Sequence, residues 1–240
     1  MKEKPFVWTL SLIIFAIGVL LGSVLIGVAV WGDLEATLFN PGLQEEARLR
    51  QLRCPIILTK AQPTGTISAR IRNSLDRTTT FFSRARISEG YLTLMREETT
   101  EIPLEPRETE RLEWEVSAED AAFDRIIFFR VVVSGGYPLP SRQGTCGIIV
   151  LDLPGLSGNQ IYGLGAVISL ICTIGGGAVW IAGHPHRMGL KVQIARIMIF
   201  LASILVIGIL VSLLGWWAIG LIVLVVILLS VGAFISYLGQ

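Results

Sequence analysis

Histidine is almost absent from this 240-residue sequence, and three long stretches have no charged residue. The two histidines are His184 and His186, so residues 32–160 contain no imidazole that could act as a catalytic base. Only 16% of the residues are charged while 52% are hydrophobic, and the mean hydropathy is +0.65. This composition is too apolar for an ordinary soluble domain.

The charges that are present lie mainly in the middle of the chain. Of the 20 Lys and Arg residues, 15 lie between Arg48 and Arg142, and of the 19 Asp and Glu residues, 18 lie between Asp33 and Asp152. This polar region is close to neutral, so it gives no reason to expect a nucleic acid or an anionic lipid as a partner. The rest of the chain is expected to have the lipid bilayer as its partner.

The three uncharged runs predict four transmembrane helices. Residues 6–31 would form a helix about 39 Å long, which is enough to cross a hydrocarbon core about 30 Å thick. The second run predicts a helix over residues 161–182. The third run is long enough for two crossings, residues 194–214 and 217–238, with Gly215-Trp216-Trp217 at the turn.

The first helix has an alternative interpretation as a cleavable signal peptide. Lys2 and Lys4 give it a positively charged start, and Gly27-Val28-Ala29 has the small-x-small pattern of a cleavage site. The uncharged run is much longer than the roughly 7–15 apolar residues of a signal peptide. We therefore expect an uncleaved signal anchor.

Basic residues near the helix ends predict the orientation. The N-terminal tail, residues 1–5, and the link between helices 2 and 3, residues 183–193, lie on the same side of the membrane if all four helices cross it. Both segments are basic, and the positive-inside rule places them in the cytoplasm. The residues concerned are Lys2, Lys4, His184, His186, Arg187, Lys191 and, at the edge of helix 3, Arg196. The prediction is a multi-pass cell-membrane protein with both termini cytoplasmic and residues 32–160 extracytoplasmic.

The extracytoplasmic region, inserted between helices 1 and 2, is predicted to be an antiparallel β-sandwich. A juxtamembrane segment, residues 32–53, is expected to include a short helix over residues 43–52. From residue 54 to 158, about seven short strands alternate apolar and polar residues and are separated by turn residues. In one of them Leu112, Trp114 and Val116 form the apolar face.

The turn Leu104-Glu105-Pro106-Arg107-Glu108 before this strand, together with the strand spacing, resembles bacterial immunoglobulin-like domains. The resemblance covers about 100 residues and is one of fold class. It implies an immunoglobulin-like sandwich and is not specific to a function.

Three cysteines constrain this region and the helices. Cys54 precedes the first strand and Cys146 lies in the last, and such strands are often neighbours in a sandwich. Because an extracytoplasmic compartment permits disulfides, we expect a Cys54–Cys146 bridge, the alternative being two unpaired buried thiols. Cys172 lies in helix 2, where we expect a packing residue.

The sequence offers no set of residues that indicates catalysis, a cofactor or a metal. His184 and His186 flank a proline in a short link, which is typical of a solvated or headgroup-facing segment; the alternative is contact with a pigment or haem in a larger complex. The acidic residues between positions 97 and 119 lack the spacing of a calcium loop. Gly175-Gly176-Gly177 lies inside an apolar helix and is therefore not a phosphate loop. We expect a protein that is not an enzyme and has no cofactor.

Small residues recur at four-residue spacing in the predicted helices. This pattern lets helix backbones approach closely, which favours association in lipid. The contacts could be made within the four-helix bundle, with other subunits, or with both. The candidate packing residues are Gly18 and Gly22 in helix 1, Gly165, Ser169, Thr173 and Gly177 in helix 2, and Gly208 and Ser212 in helix 3, with Gly232 and Ser236 repeating the pattern in helix 4.

These observations favour a non-catalytic membrane protein, either a structural or an accessory subunit of a membrane complex. It would present an extracytoplasmic interaction domain and assemble with other membrane subunits or with its own copies. The alternative is a receptor-like or sensor module whose external domain binds a ligand or a cell-surface polymer. Within the predicted spans only Arg196 is ionisable, which argues against ion-coupled transport by this chain alone.

Overall fold

The computed structural model describes residues 5–38, 47–49, 52–184 and 189–238. It contains four long apolar helices and a sheet-rich region, and the chain divides into two compact units. The helical unit comprises Met1–Val30 and Tyr162–Gln240, and the β unit comprises Trp31–Ile161. The predictions that rest on Lys2, Lys4, His186 and Arg187 lie outside the described residues.

The four helices are α1 (Pro5–Leu38), α2 (Gly158–Gly183), α3 (Leu190–Leu213) and α4 (Trp217–Leu238). Each is long and apolar enough to cross a membrane. Together with the sheet-rich region, they fit a membrane protein with an external domain.

Three helices extend beyond their predicted ends, among them α3, which begins at Leu190 and not at residue 194. α1 continues past residue 31 through Asp33 and Glu35. Charged residues end the apolar segment, but their helix propensities do not end the helix. α2 begins three residues before position 161 in a capping box. The Gln160 N–H donates to Ser157 Oγ at 3.3 Å, and the Ser157 N–H donates to Gln160 Oε1 at 2.9 Å.

In the helical unit, α1 contacts each of the other three helices. It runs antiparallel to α4, since the rings of Phe15 and Phe234 have centroids 6.0 Å apart and Val30, further along α1, packs on Gly220. It runs parallel to α3 and antiparallel to α2, as the contacts described below show. The buried side chains of this unit include Phe15, Ile26, Met198, Leu201, Leu205 and Ile227.

The described residues of the β unit form eight strands in two sheets. The larger sheet has the order β1-β8-β7-β4-β5, with β2 also paired to β8, and the smaller sheet pairs β3 with β6. β1 and β2 run parallel to β8, and every other pairing is antiparallel. The strands are β1 (Ala47–Arg48), β2 (Ile57–Thr59), β3 (Thr64–Arg72), β4 (Thr79–Glu89), β5 (Tyr91–Leu104), β6 (Thr109–Ser117), β7 (Ile126–Gly135) and β8 (Arg142–Leu151).

The two sheets share one apolar core and form a sandwich. The inward residues of β6 are Leu112, Trp114 and Val116, the apolar face expected from the alternation. They pack towards the larger sheet, where the Phe129 ring lies 5.3 Å from that of Trp114, centroid to centroid. Burial of these side chains is the main source of stability for such a layer.

The predicted short helix over residues 43–52 is wrong where the structure describes it. Ala47–Arg48 is a strand beside β8, and the Leu49 N–H donates to the Gln143 carbonyl at 2.6 Å. The Leu49 side chain is buried in the core of the sandwich. This tertiary burial outweighs the local helical preference of the sequence.

The last turns of α1 and the first turn of α2 belong to the β unit and pack closely on its strands. A Cβ atom at Gly32 would lie 2.9 Å from the Gly147 carbonyl oxygen in β8. Ala36 is buried with Phe128 of β7. At the other connection, a Cβ atom at Gly158 would collide with the Ile57 carbonyl of β2. Only glycine permits these two approaches of backbone to backbone.

Candidate functional site

The predicted packing residues of helices 1 and 2 meet each other inside the helical unit. A Cβ atom at Gly18 would lie 2.5 Å from Thr173 Oγ1 and 2.8 Å from the Ser169 carbonyl oxygen. Ser169 Oγ donates a hydrogen bond of 2.7 Å to the Gly18 carbonyl. Ser169 is 0% exposed and Thr173 is 1% exposed. This contact brings the two backbones together as small residues at helical spacing allow.

Gly22 extends the contact to a third helix. A Cβ atom there would lie 2.5 Å from Ser169 Oγ and 2.7 Å from Leu205 Cδ1 of α3. Gly165 faces the Leu25 side chain, the nearest atom of which would be 3.2 Å from a Cβ atom. As residue numbers rise along α1, the numbers of the contacting residues in α2 fall, so the two helices are antiparallel.

Gly176 takes part in this contact, although the sequence prediction named Gly177 instead. A Cβ atom at Gly176 would lie 2.7 Å from both the Phe15 amide nitrogen and the Ser11 carbonyl oxygen, whereas one at Gly177 would meet only ordinary contacts. A helix face advances by steps of three and four residues, and Gly176 is three residues after Thr173. Steps of four alone drift off the face.

In helix 3, the predicted packing residue Gly208 contacts two other helices. A Cβ atom at Gly208 would lie 2.5 Å from Ile26 Cδ1 of α1 and 2.9 Å from Val223 Cγ1 of α4. Ser212 is buried, but its hydroxyl donates to the Gly208 carbonyl of its own helix at 2.9 Å. At Gly232 in α4, a Cβ atom would have no neighbour within 4 Å among the described residues, apart from adjacent residues and the backbone of its own helix.

His184 is held between two tryptophan rings at the end of α2. Its ring stacks on Trp180 with centroids 4.5 Å apart and lies 5.0 Å from the ring of Trp8. Its Nδ1 is 2.9 Å from the Trp180 carbonyl oxygen. Within the described ranges, no group of three or more His, Cys, Asp or Glu residues could hold a metal ion.

A disulfide joins Cys54 to Cys146. The sulfur atoms are 2.03 Å apart and the Cα atoms 6.5 Å apart. The bridge ties the segment before β2 to β8 across a sequence separation of 92 residues, with Cys146 buried in the core. Cys172 is a free, partly buried thiol. Such a bond is typical of an oxidising compartment.

A cleft of about 290 Å³, here called the basic cleft, lies beside Cys54. The Arg53 and Arg111 side chains line it together with Ser68 and Asn159. Arg111 Nε lies 2.8 Å from Glu113 Oε1, and its Nη2 donates to Ser68 Oγ at 3.4 Å. The cleft is therefore polar and carries more positive than negative charge. Sequence reasoning missed it because its lining comes from positions distant in sequence.

The side of the larger sheet that faces away from the core carries a second basic group, here called the arginine face and consisting of the exposed Arg84, the half-buried Arg86 and the buried Arg130. Glu97 bridges two of these residues, with Arg84 Nε 3.2 Å from its Oε1 and Arg86 Nε 2.9 Å from its Oε2. Arg130 is 5% exposed and its Nη2 donates to Gln143 Oε1 at 2.8 Å. The strand register places Arg86 opposite both Glu97 and Arg130.

The chain matches no known family and no curated protein. Among solved structures it is partly similar to a Bacteroides uniformis beta-glucuronidase 2, at 15% identity over 38% of this chain and 12% of that one, with a TM-score of 0.31. It is also similar to the CARDB domain of a Pyrococcus furiosus protein, which was solved with di-metal ions, at 10% identity over 43% and 91% of the two chains and a TM-score of 0.33.

A third similarity is to the periplasmic chaperone SfaE, at 12% identity over 45% of this chain and 55% of that one, with a TM-score of 0.26. The chain thus spans only a small part of the glucuronidase and about half of the chaperone. Similarities this low carry no argument about activity or partners.

Proposed function

We propose that this chain is a non-catalytic, multi-pass membrane protein that serves as an accessory subunit of a membrane complex. Its β unit is immunoglobulin-like, lies outside the cytoplasm and binds a partner protein. Its helices form a self-contained anchor in the lipid bilayer.

The strand pairing supports the immunoglobulin-like assignment. The smaller sheet pairs β3 with β6, and the larger sheet joins β5, β4, β7 and β8 in that order. The chain therefore changes sheets four times, between β2 and β3, β3 and β4, β5 and β6, and β6 and β7, which is a Greek-key arrangement. The parallel pairing of β2 with β8 then closes the larger sheet on the opposite side from β5.

The internal use of the small helix residues supports an anchor that needs no other subunit to complete its core. Gly18, Gly22 and Ser169 are in contact with other helices of the same chain. The faces of α2 and α4 that remain exposed are apolar, with Val167, Ile171 and Leu229 among them. Such faces are suited to lipid, so recognition is more readily assigned to the β unit.

The arginine face and the adjoining edge of β5 carry the proposal of partner binding. β5 is 14 residues long and, among the described strands, pairs only with β4, so its other edge offers free backbone N–H and C=O groups. Phe82 lies on the same surface as Arg84 and is 46% exposed. Arginine and aromatic side chains beside an open strand edge are features of protein-binding surfaces.

The disulfide and the charge distribution support the extracytoplasmic placement of the β unit. A bridge between Cys54 and Cys146 persists in oxidising compartments and is rare in the cytosol. The basic residues Lys191 and Arg196 at the start of α3 favour a cytoplasmic position for that end of the helix.

Photocrosslinking in intact membranes tests the proposal. A photoreactive residue at Thr99, which is exposed and opposite Arg84 on the arginine face, is expected to yield an adduct with a discrete second protein. The same residue at Arg72, on the smaller sheet, serves as the control and should yield none. Arg84→Glu should abolish the adduct at Thr99. A chain that gives no adduct at Thr99 and purifies alone in mild detergent would exclude the proposed function.

The basic cleft favours the alternative of a receptor-like module, because it is a concave polar site of a size used for small ligands. A ligand retained by the purified monomer, without a protein partner, would support that alternative.

A further inference from the structure

The basic cleft lies where the β unit meets the first turn of α2. Asn159, the second residue of α2, forms part of its lining, and Gly158 packs directly against Ile57 of β2. Leu153 and Leu156, just before this helix, are 47% and 44% exposed. Asn159 is also the second residue of the candidate membrane span Gly158–Gly183, so one residue of the cleft's lining belongs to the start of that span.

The charge of the cleft comes from the guanidinium groups of Arg53 and Arg111, which differ in their ion pairing. Arg111 is already paired with Glu113. For Arg53, no carboxylate lies within ion-pair distance in the part of the chain that the structure describes, and its backbone is fixed by two hydrogen bonds with Ser68 of 2.8 and 2.9 Å. The cleft therefore has one positive charge in excess, on a residue whose main chain is held in place.

Further hydrogen-bond donors surround these arginines. Gln62, Asn159 and Ser68 are among the residues that line the cleft, and each carries a side-chain hydrogen-bond donor. The first backbone N–H groups of a helix have no hydrogen-bond partner within the helix. In α2, the Ser157 hydroxyl accepts a hydrogen bond from one of them, the Gln160 N–H. The N-terminal end of α2, which carries a partial positive charge, thus contributes Asn159 to the lining of the cleft.

We propose that the basic cleft binds a phosphate group, either that of a lipid headgroup or that of a soluble phosphate ester. Arginine binds phosphate through paired N–H donors, and the cleft combines two arginines with neutral donors and a helix start. Its volume of about 290 Å³ lies at the lower end of the range for small-molecule sites, so it accommodates a headgroup and not an acyl chain. The site does not depend on the partner-binding function proposed above.

The test uses the full chain in nanodiscs. In discs of phosphatidylcholine alone, glycerol phosphate and inorganic phosphate are titrated by calorimetry. In discs of phosphatidylcholine with phosphatidylglycerol, native mass spectrometry counts the phosphatidylglycerol molecules that stay on the released protein. Arg53→Gln and Arg111→Gln are each expected to weaken binding about tenfold, the effect of losing one charge-assisted hydrogen bond.

Arg72→Gln is the matched control, since Arg72 is an exposed arginine of the same small sheet that does not line the cleft. Its binding should equal that of the wild type, and the melting temperature without anion should be unchanged in all three variants. Retention of phosphatidylglycerol alone identifies a lipid headgroup, and binding of glycerol phosphate identifies a soluble ester. The proposal is overturned if neither anion binds, or if Arg72→Gln weakens binding as much as Arg53→Gln.

Discussion

Asn73 is a fully buried residue whose side chain joins separate parts of the β unit. Its Nδ2 donates to the carbonyls of Arg77, Leu104 and Glu105 at 2.8, 3.0 and 3.1 Å, and the Leu75 N–H donates to its Oδ1 at 3.0 Å. With two hydrogens on Nδ2, one of them is shared between two carbonyls. The end of β3 and the end of β5 are thereby fixed to the same amide.

Replacing this amide by a carboxyl group is expected to destabilise the protein in a pH-dependent manner. In Asn73→Asp a carboxylate would face three carbonyl oxygens, which raises its pKa in the folded state above the ordinary value of about 3.9. A raised pKa means that the variant is most stable below the ordinary value and loses stability as pH rises through the folded value.

Asn73→Ala is the matched control, because it removes the donor without adding a charge. It should lose about 1–3 kcal/mol at every pH, the effect of leaving buried carbonyls unpaired. Denaturant unfolding of the full chain in neutral detergent at several pH values measures both. An Asn73→Asp protein as stable as the wild type at neutral pH would show that the amide bonds contribute nothing.

Sequence alone does not reveal that the Asn73 side chain reaches Leu104. Turn residues are recognised from local preferences, whereas the carbonyls of Leu104 and Glu105 arrive from a strand 31 and 32 residues away. The same limit applies to the basic cleft, where Arg53 and Arg111 come together only through folding. The sequence shows which residue types stand at these positions, but it does not show which distant residues they contact in the fold.

At the scale of elements, the contact between α1 and α2 depends on the absence of side-chain atoms at Gly18. Adding one methyl group there would place it within 2.8 Å of the Ser169 carbonyl and 2.6 Å of the Thr173 amide nitrogen. Backbone atoms cannot rotate away as a flexible side chain can, so the helices must separate. Overpacking of this kind destabilises by typically about 1–3 kcal/mol.

Gly18→Ala is therefore expected to lower the melting temperature of the protein in nanodiscs. Gly27→Ala is the control, since it makes the same change in the same helix at a position where, apart from its chain neighbours and the backbone of its own helix, no described atom lies within 4 Å of the new Cβ. It should be neutral or slightly stabilising, because alanine favours a helix by about 0.5–1 kcal/mol over glycine. Equal melting temperatures for the two variants would contradict the close contact.

The disulfide acts between elements, because it holds the segment before β2 against β8. Cys54→Ala combined with Cys146→Ala should reduce the free energy of unfolding by about 2–5 kcal/mol, mainly because the unfolded chain is no longer cross-linked. Cys172→Ala, which removes the free thiol in α2, provides the comparison and should change it much less. Alkylation of unreduced native protein must modify neither Cys54 nor Cys146 if the bridge is present.

The elements themselves were predicted to very different degrees. The four helices follow from uncharged runs, and the strands from alternation such as that of Leu112, Trp114 and Val116, since both patterns are local. The segment 47–48 was placed in a helix because its charged and apolar residues fit one, yet β8 pairs with it as a strand. Gly176 was missed because four-residue steps alone do not follow a helix face.

At the scale of the whole molecule, the helix directions set which ends lie together. α1 runs antiparallel to α2 and α4 and parallel to α3, so the start of α1, the end of α2 and the start of α3 lie at one end of the helical unit. The basic residues Lys191 and Arg196 are at that end. The positive-inside rule then predicts that this end faces the cytoplasm.

Labelling of single cysteines in intact cells tests this orientation. In a Cys172→Ala background, a membrane-impermeant thiol reagent should modify a cysteine placed at Glu98 in β5 and spare one placed at Lys191 in α3. Both sites should react after the membrane is permeabilised, which controls for accessibility. Modification of the Lys191 site alone in intact cells would reverse the orientation.

The two connections of the β unit leave it at neighbouring strands. α1 reaches it at Gly147 of β8, and α2 departs from Ile57 of β2, which pairs with Ile149 only two residues further along β8. At about 3.4 Å per residue the two attachment points are therefore roughly 7 Å apart along the strand. A domain whose ends lie this close can be inserted into a helical hairpin, or removed from it, with little change in loop-closure entropy. In these terms the β unit is a domain inserted between the two helices of a hairpin. Another domain whose ends are similarly close could replace it.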